Sequence, residues 1–433
     1  LHTELTIWSR LVPFLQRILG DQIEGVRPDL TRLVKQVSQG EFIRRIPRKK
    51  RYSWATDARI LIDINDQTFP DRRDFIHLRE QLEQIRGNEG LQVQYIYDEP
   101  GGYIACYDQQ QELVESWRMP EQGTPILILS DLGMQAKSRR LLYAWLVFGQ
   151  MLKVRGFRPT VLMPVAERDI DSRLLKYFDC VVWDRTSRLK QIKGDYQAEK
   201  DKNNHLENID QLLLYFFATV RVDSSLMRAV RHLLPTTYDI GHEAAVWQHA
   251  VVNKEGDEWG WQASGKPQYL DKARRLIGEL KLEQQQKLVE WNGRYHAIYP
   301  DELYFEAMYS LELLGLSLPE EVQQATERFM QDAVATYAQN LDNSLLHGWV
   351  KRHLDRHEAE EIRKKHAYWL PFMAFARVQE NKHNADSEIE WPDYLTKTDI
   401  EEILRFINHA KTYQTYQLRQ VGEKLELMLV FGY

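Results

Sequence analysis

Apolar positions along the chain change their spacing near residue 190. Before that point, Ile60 to Ile64 is an apolar run broken only by Asp63, as expected of a strand covered on both faces. Ile126 to Ser130, Thr160 to Met163 and Cys180 to Trp183 repeat the pattern, and Gln92 to Tyr97 and Tyr103 to Tyr107 read as further strands. Between these runs the spacing turns helical: over Asp71 to Arg86, where Phe75, Leu78, Leu82 and Ile85 share a side, over Arg139 to Val154, and over Ile170 to Tyr177. Pro100-Gly101-Gly102 joins Tyr95 and Tyr107 as an antiparallel edge hairpin. The alternation predicts a doubly wound, mostly parallel sheet with Rossmann-type layers of helix on both faces.

Beyond a polar stretch rich in Lys, Asp and Asn, the period is helical almost throughout. It predicts helices at 206–220, 224–233, 242–251, 267–289, 301–314, 319–337, 356–378 and 397–412, then a hairpin over 416–430 turning at Gly422. At the other end, Glu4 to Leu19 and the stretch from Pro28 to Val37 predict two short helices. The basic run from Arg44 to Arg51 follows as a solvated connector, with nucleic-acid contact as its minority reading. The fold class is thus α/β plus all-α. The expected parts are N-terminal helices and connector (1–51), an α/β domain (52–189), a linker (190–205), a helical domain (206–413) and a hairpin (414–433). The start at Leu1 and the hairpin at the end lead us to expect a piece of a longer reading frame, with a further domain after the hairpin.

Composition narrows this little. At 433 residues the chain exceeds one ordinary core. A formal net charge of −6, from 57 basic and 63 acidic residues, makes no overall case for nucleic acid. No segment reaches the roughly 20 apolar residues that span a bilayer, so no membrane partner is expected. Cys106 and Cys180 make neither a disulfide framework nor a zinc site, which suits a reducing, cytoplasmic setting.

Two strands end in carboxylates: Leu61-Ile62-Asp63-Ile64-Asn65-Asp66 and Ile128-Leu129-Ser130-Asp131. Ligands of doubly wound sheets bind outside the carboxyl ends of strands, where strand order reverses. Asp63, Asn65 and Asp131, with Thr68, supply oxygen donors of the kind Mg²⁺ takes. The competing reading has both carboxylates capping backbone amides at the sheet rim. His242-Glu243 begins like a zinc-protease helix, but Val246 stands where the second His is needed, and His249 is out of step. His353 and His357, with Glu360 or Glu361 one turn on, would share a helix face. There is no Gly-x-Ser-x-Gly elbow and no phosphate-cradling Gly-x-x-x-x-Gly-Lys-Ser/Thr loop.

The stretch Ala58 to Arg185 resembles a divergent von Willebrand factor A-like domain. More narrowly, the chain is similar to the N-terminal region of bacterial multidomain proteins that carry a formylglycine-generating-enzyme-like (sulfatase-modifying-factor, C-type-lectin-like) domain. The residues concerned are Leu61 to Asp66, Gly123 to Gly133, Arg158 to Pro164, Val182 to Arg185, Leu233 to Pro235, Asp239 to His249 and Gln417 to Gly422. In typical von Willebrand factor A domains an Asp-x-Ser-x-Ser run, a loop Thr and a later Asp hold a divalent ion. Asp63 and Asp131 match the two acids, Asn65 and Gln67 replace the serines, and the loop Thr has no counterpart. The resemblance implies a non-catalytic protein-recognition scaffold in a bacterial conflict system, with a protein partner such as an ATPase of the same system. The alternative is an Mg²⁺-dependent phosphohydrolase or nuclease built on Asp63, Asp66 and Asp131.

Overall fold

The computed structural model describes residues 2–108, 111–193, 202–255, 258–262, 267–339, 397–398, 401, 414–421 and 424–431. The chain forms two compact units, one of residues 1–209 and 223–246, the other of 210–222 and 247–433.

The first unit is a seven-stranded sheet between helical layers. Its strands are β3 (Ala58–Asp63), β4 (Leu91–Ile96), β5 (Tyr103–Asp108), β6 (Gln111–Ser116), β7 (Ile126–Leu129), β8 (Thr160–Met163) and β9 (Asp179–Val182), in the spatial order β6-β5-β4-β3-β7-β8-β9. β4, β3, β7, β8 and β9 run parallel, whereas β5 pairs antiparallel with β4 and β6 antiparallel with β5, so that β5 alone runs against the other strands of this sheet. The expected hairpin is therefore present, but the sheet's edge is β6, a strand the sequence pattern did not reveal.

Side chains alternate across the sheet. Ile60, Ile62, Leu127 and Leu129 join one core, with Phe75, Leu78 and Leu82 of α3 (Arg72–Arg86). Leu61, Ile128, Val161 and Met163 join the other, with Trp145, Phe148 and Leu152 of α4 (Arg140–Val154). Each such buried side chain contributes about 1.5–3 kcal/mol. Because α3 and α4 lie on opposite faces, the winding direction reverses between β3 and β7.

The N-terminal region departs from the sequence reading in two ways. α1 (Trp8–Ile18) is no appendage: Leu11, Phe14 and Leu15 are buried in the same core as α3. The basic run is no plain connector either. β1 (Gly20–Pro28) pairs antiparallel with β2 (Arg48–Trp54), and α2 (Leu30–Ser38) lies between them. At the root of this ribbon, the Ala55 amide donates to the Leu19 carbonyl at 3.0 Å. Gly20 is required there, since a Cβ would meet the Gln16 carbonyl oxygen at 2.2 Å.

The helix expected at 170–177 reduces to one 3₁₀ turn, Leu174–Lys176. Asp171 accepts from the Arg173 amide at 2.9 Å and chelates its guanidinium, a local arrangement that competes with helix. α5 (Lys202–Leu214), α6 (Ser224–Leu233) and α7 (Ile240–Trp247) follow. α6 and nearly all of α7 belong to the first unit, although the sequence grouped them with the helices that follow.

In the second unit, the helix expected to reach residue 251 gives way to a hairpin of β10 (Val252–Glu255) and β11 (Glu258–Trp261). The single helix expected over 267–289 is two, α8 (Leu270–Gly278) and α9 (Leu282–His296), because Gln284 reaches back to accept from the Lys281 amide and starts a new helix. α10 (Asp301–Leu313) packs against α9 and α11 (Glu320–Gln339), with Phe305 stacked on Phe329 at 4.6 Å. β12 (Gln414–Val421) and β13 (Lys424–Phe431) form the expected hairpin. The helix expected at 356–378, and with it His353 and His357, lies outside the described residues, as does most of that at 397–412.

Candidate functional site: the carboxyl rim of the sheet

Asp63 and Asp131 emerge at the point where the winding reverses, and both are fully buried. Asp63 Oδ1 accepts from the Asn65 amide at 3.1 Å and from Asn65 Nδ2 at 2.8 Å; Asp63 Oδ2 accepts from the Ser130 hydroxyl at 2.6 Å. Asp131 Oδ1 accepts from the Gly133 amide at 2.9 Å, and Oδ2 from the Gln135 amide at 2.7 Å. The turn between these acceptors is tight. Leu132 sits at φ 54, in the left-handed region that a branched side chain rarely enters, and its amide is held by Ser130 Oγ at 2.8 Å.

Burial and the neighbouring Asp131 charge push the Asp63 carboxyl up to about 7, against the pull of the Ser130 and Asn65 donors. Burial raises Asp131 as well. Asn65 Nδ2 also donates to the Asp98 carbonyl at 2.9 Å, and Thr68 Oγ1 donates to the carbonyls of Asp63 and Asn65. These oxygens do not fit a hydrated Mg²⁺. Such an ion keeps several waters, yet all four carboxylate oxygens already face N–H or O–H donors in a place without solvent. Among the described residues, no group of three or more His, Cys, Asp or Glu is placed to hold a metal ion.

Outside the two acids the rim opens into a crevice of about 570 Å³. Asn65, Asp66 and Gln67 line it after β3, Tyr97, Asp98 and Glu99 after β4, and Ser138 and Arg140 at the start of α4. Arg140 Nε donates to Glu99 Oε1 at 2.6 Å, and Arg72 donates to the Ile64 carbonyl at 2.6 Å. Tyr97 is about half exposed. Asp66, a candidate catalytic carboxylate by sequence, thus lines the open crevice, apart from the buried Asp63 and Asp131.

The β9 side of the rim is closed by α6 and α7. Arg228 and Arg231 of α6 are fully buried. Arg228 donates to both oxygens of Asp74 at 2.7 and 2.6 Å, and approaches Glu243 at 3.4 Å and Asp71 at 3.7 Å. Arg231 donates to Asp184 at 2.7 Å, to the Tyr238 carbonyl at 3.0 Å, and to Glu243. Burial alone would lower the Arg228 pKa; the charges of Asp74, Glu243 and Asp71 outweigh it and hold it above the ordinary value. Burial pushes the Asp71 carboxyl well above its usual range, so four acids and two arginines are not four charges against two.

His242-Glu243 is therefore no metal motif. Glu243 serves the two arginines, while His242 pairs with Asp239 at 2.9 Å and meets His205 at 3.1 Å. Burial opposes ionisation of Asp239, but hydrogen bonds from His242 and Arg168 prevail and hold it below the ordinary carboxylate range. His249 lies 3.4 Å from Asp210. Cys180 is buried, with its thiol pushed up to about 12 by that burial, which suits a packing residue. Sequence reasoning missed Arg228 and Arg231; the one available signal was two arginines three residues apart among the apolar Leu226, Met227, Ala229 and Val230.

Compared with protein-family models, curated proteins and solved structures, the chain finds no match. No helix of the described residues is long and apolar enough to cross a membrane.

Proposed function

We propose that this chain is a non-catalytic protein-recognition scaffold, in which a divergent von Willebrand A-like sheet presents its carboxyl rim to a partner protein. The observation that carries this reading is the saturation of Asp63 and Asp131. Carboxylates meant for metal-assisted hydrolysis must offer lone pairs to ions and water, whereas these four oxygens are spent on holding two loops. What remains open at the winding reversal is the crevice beside Tyr97, Glu99 and Arg140, an amphipathic ring flanked by exposed charges of both signs, suited to docking a protruding side chain. The sheet also supports the family reading. Its first parallel strand lies between the second and third, and an antiparallel strand follows the second. On this reading the partner belongs to the same bacterial conflict system, such as its ATPase.

The test is affinity capture from the native host with the wild-type chain and with Tyr97→Ala and Arg140→Glu. The partner set shrinks in both variants if the crevice is the docking surface, and identical sets remove it from consideration. In parallel, the chain is assayed on generic phosphoesters and nucleic acids. Turnover that disappears in Asp63→Asn overturns the non-catalytic assignment.

A further inference from the structure

The ribbon formed by β1, α2 and β2 carries a surface the proposed function does not use. Between Gly20 and Trp54, nine Lys and Arg stand against four Asp and Glu, in a chain whose formal net charge is −6. Arg48, Lys49, Lys50 and Arg51 follow one another in β2 and are all exposed. α2 has no buried residue. Its apolar side chains, Leu30, Leu33, Val34 and Val37, fall at the spacing of one helical face, with Arg32 and Lys35 off that face. Val34 is 66% exposed, and the loop that follows adds Phe42 at 88% and Ile46 at 57%. Asp29 caps the helix by accepting from the Arg32 amide at 3.1 Å, so this is a formed element and not a frayed one. Eight residue steps of strand place the tip roughly 27 Å from the root at Gly20.

We propose that this ribbon is a peripheral membrane-docking arm that lays α2 and Phe42 onto an anionic phospholipid surface. No spanning segment is needed. A short helix with an apolar face, beside a polybasic strand, binds the headgroup boundary by two modest contributions that act together. Other occupants suit the surface less well. A nucleic-acid backbone offers phosphates to the cations but leaves Val34, Val37 and Phe42 in water. A second copy of the arm brings the same positive surplus against itself. Arg45 already spends part of its charge on Glu24, at 3.1 Å, which leaves the β2 cations as the principal contacts.

The experiment is co-sedimentation of the 433-residue chain with vesicles of phosphatidylcholine alone and of phosphatidylcholine with phosphatidylserine, at low and at physiological salt. Binding is expected to the phosphatidylserine vesicles only, and to weaken with salt. Each lipid-facing cation removed lowers partitioning roughly fivefold, and since Lys49 and Lys50 lie on opposite faces of the strand, the Lys49→Gln, Lys50→Gln double variant falls by at least roughly fivefold. Val34→Asn, Phe42→Asn keeps every charge and is also expected to release the chain at physiological salt. Both pairs are exposed, so unchanged thermal melting separates lost docking from lost folding. Equal binding to both vesicle types, vesicle binding untouched by either variant, or duplex DNA bound more tightly than vesicles each overturns the proposal. None of these results bears on the rim crevice, which lies on other residues.

Discussion

Arg228 donates to both carboxylate oxygens of Asp74, at 2.7 and 2.6 Å, with both side chains withdrawn from solvent. A helix late in the unit's sequence is thereby bound to the first turn of α3. Breaking one member of a buried pair leaves the rest uncompensated, at about 3–5 kcal/mol. Arg228→Leu is expected to lose stability of that order in chemical denaturation, because Asp74 and Asp71 stay behind without their cation, while Glu243 keeps Arg231. Replacing Arg228 and Asp74 together by Leu and Asn is expected to recover part of the loss.

Asp63 makes the rim sensitive to pH. Its folded value of about 7 lies above the ordinary 3.8, so the folded protein holds a proton that the unfolded chain releases. The stability this group contributes is whole below pH 3.8 and drains as pH rises through about 7. Asp63→Asn lacks that titration. The stability of the variant relative to wild type is expected to rise between pH 5 and pH 7.5, read from urea melts at each pH. A difference that is flat across the window rules out the raised carboxyl.

Gly133 follows the strained Leu132 at φ 74, and a Cβ there would lie 2.7 Å from the Leu142 amide nitrogen. Neither the left-handed backbone nor the neighbouring helix has room to yield. Gly133→Ala is expected to cost at least about 2 kcal/mol and to loosen the turn that holds Asp131, seen as faster amide exchange at Gly133 and Gln135.

The two thiols differ in access. Cys180 is sealed in the core facing α4, while Cys106 is half-buried on β5. Alkylation of the native protein is expected to modify Cys106 slowly and Cys180 only after unfolding, with mass spectrometry of the digested chain as the readout.

The sheet was legible because a strand covered on both faces must be apolar without interruption, and Ile60 to Ile62 and Ile126 to Leu129 obey that demand. The arm was not, since a ribbon exposed on both sides imposes no such pattern; Arg48 to Arg51 reads the same in a strand as in a linker. Asp63 and Asp131 were found as rim acids, yet nothing in their spacing revealed that Ser130 and Asn65 would occupy Asp63. The polar stretch after Lys190 suggested a boundary, but composition cannot say to which body a later helix returns. Arg228 and Arg231 were passed over because arginine is ordinarily a surface residue.

The return of α6 and α7 to the first unit has a consequence for synthesis. The strands and the acids at 71, 74 and 184 leave the ribosome well before the two guanidiniums that neutralise them. Until residue 246 has emerged, a nascent sheet carries its counter-ions on credit from water. A gene fragment cut in the apparent linker would strand it in that unfinished state.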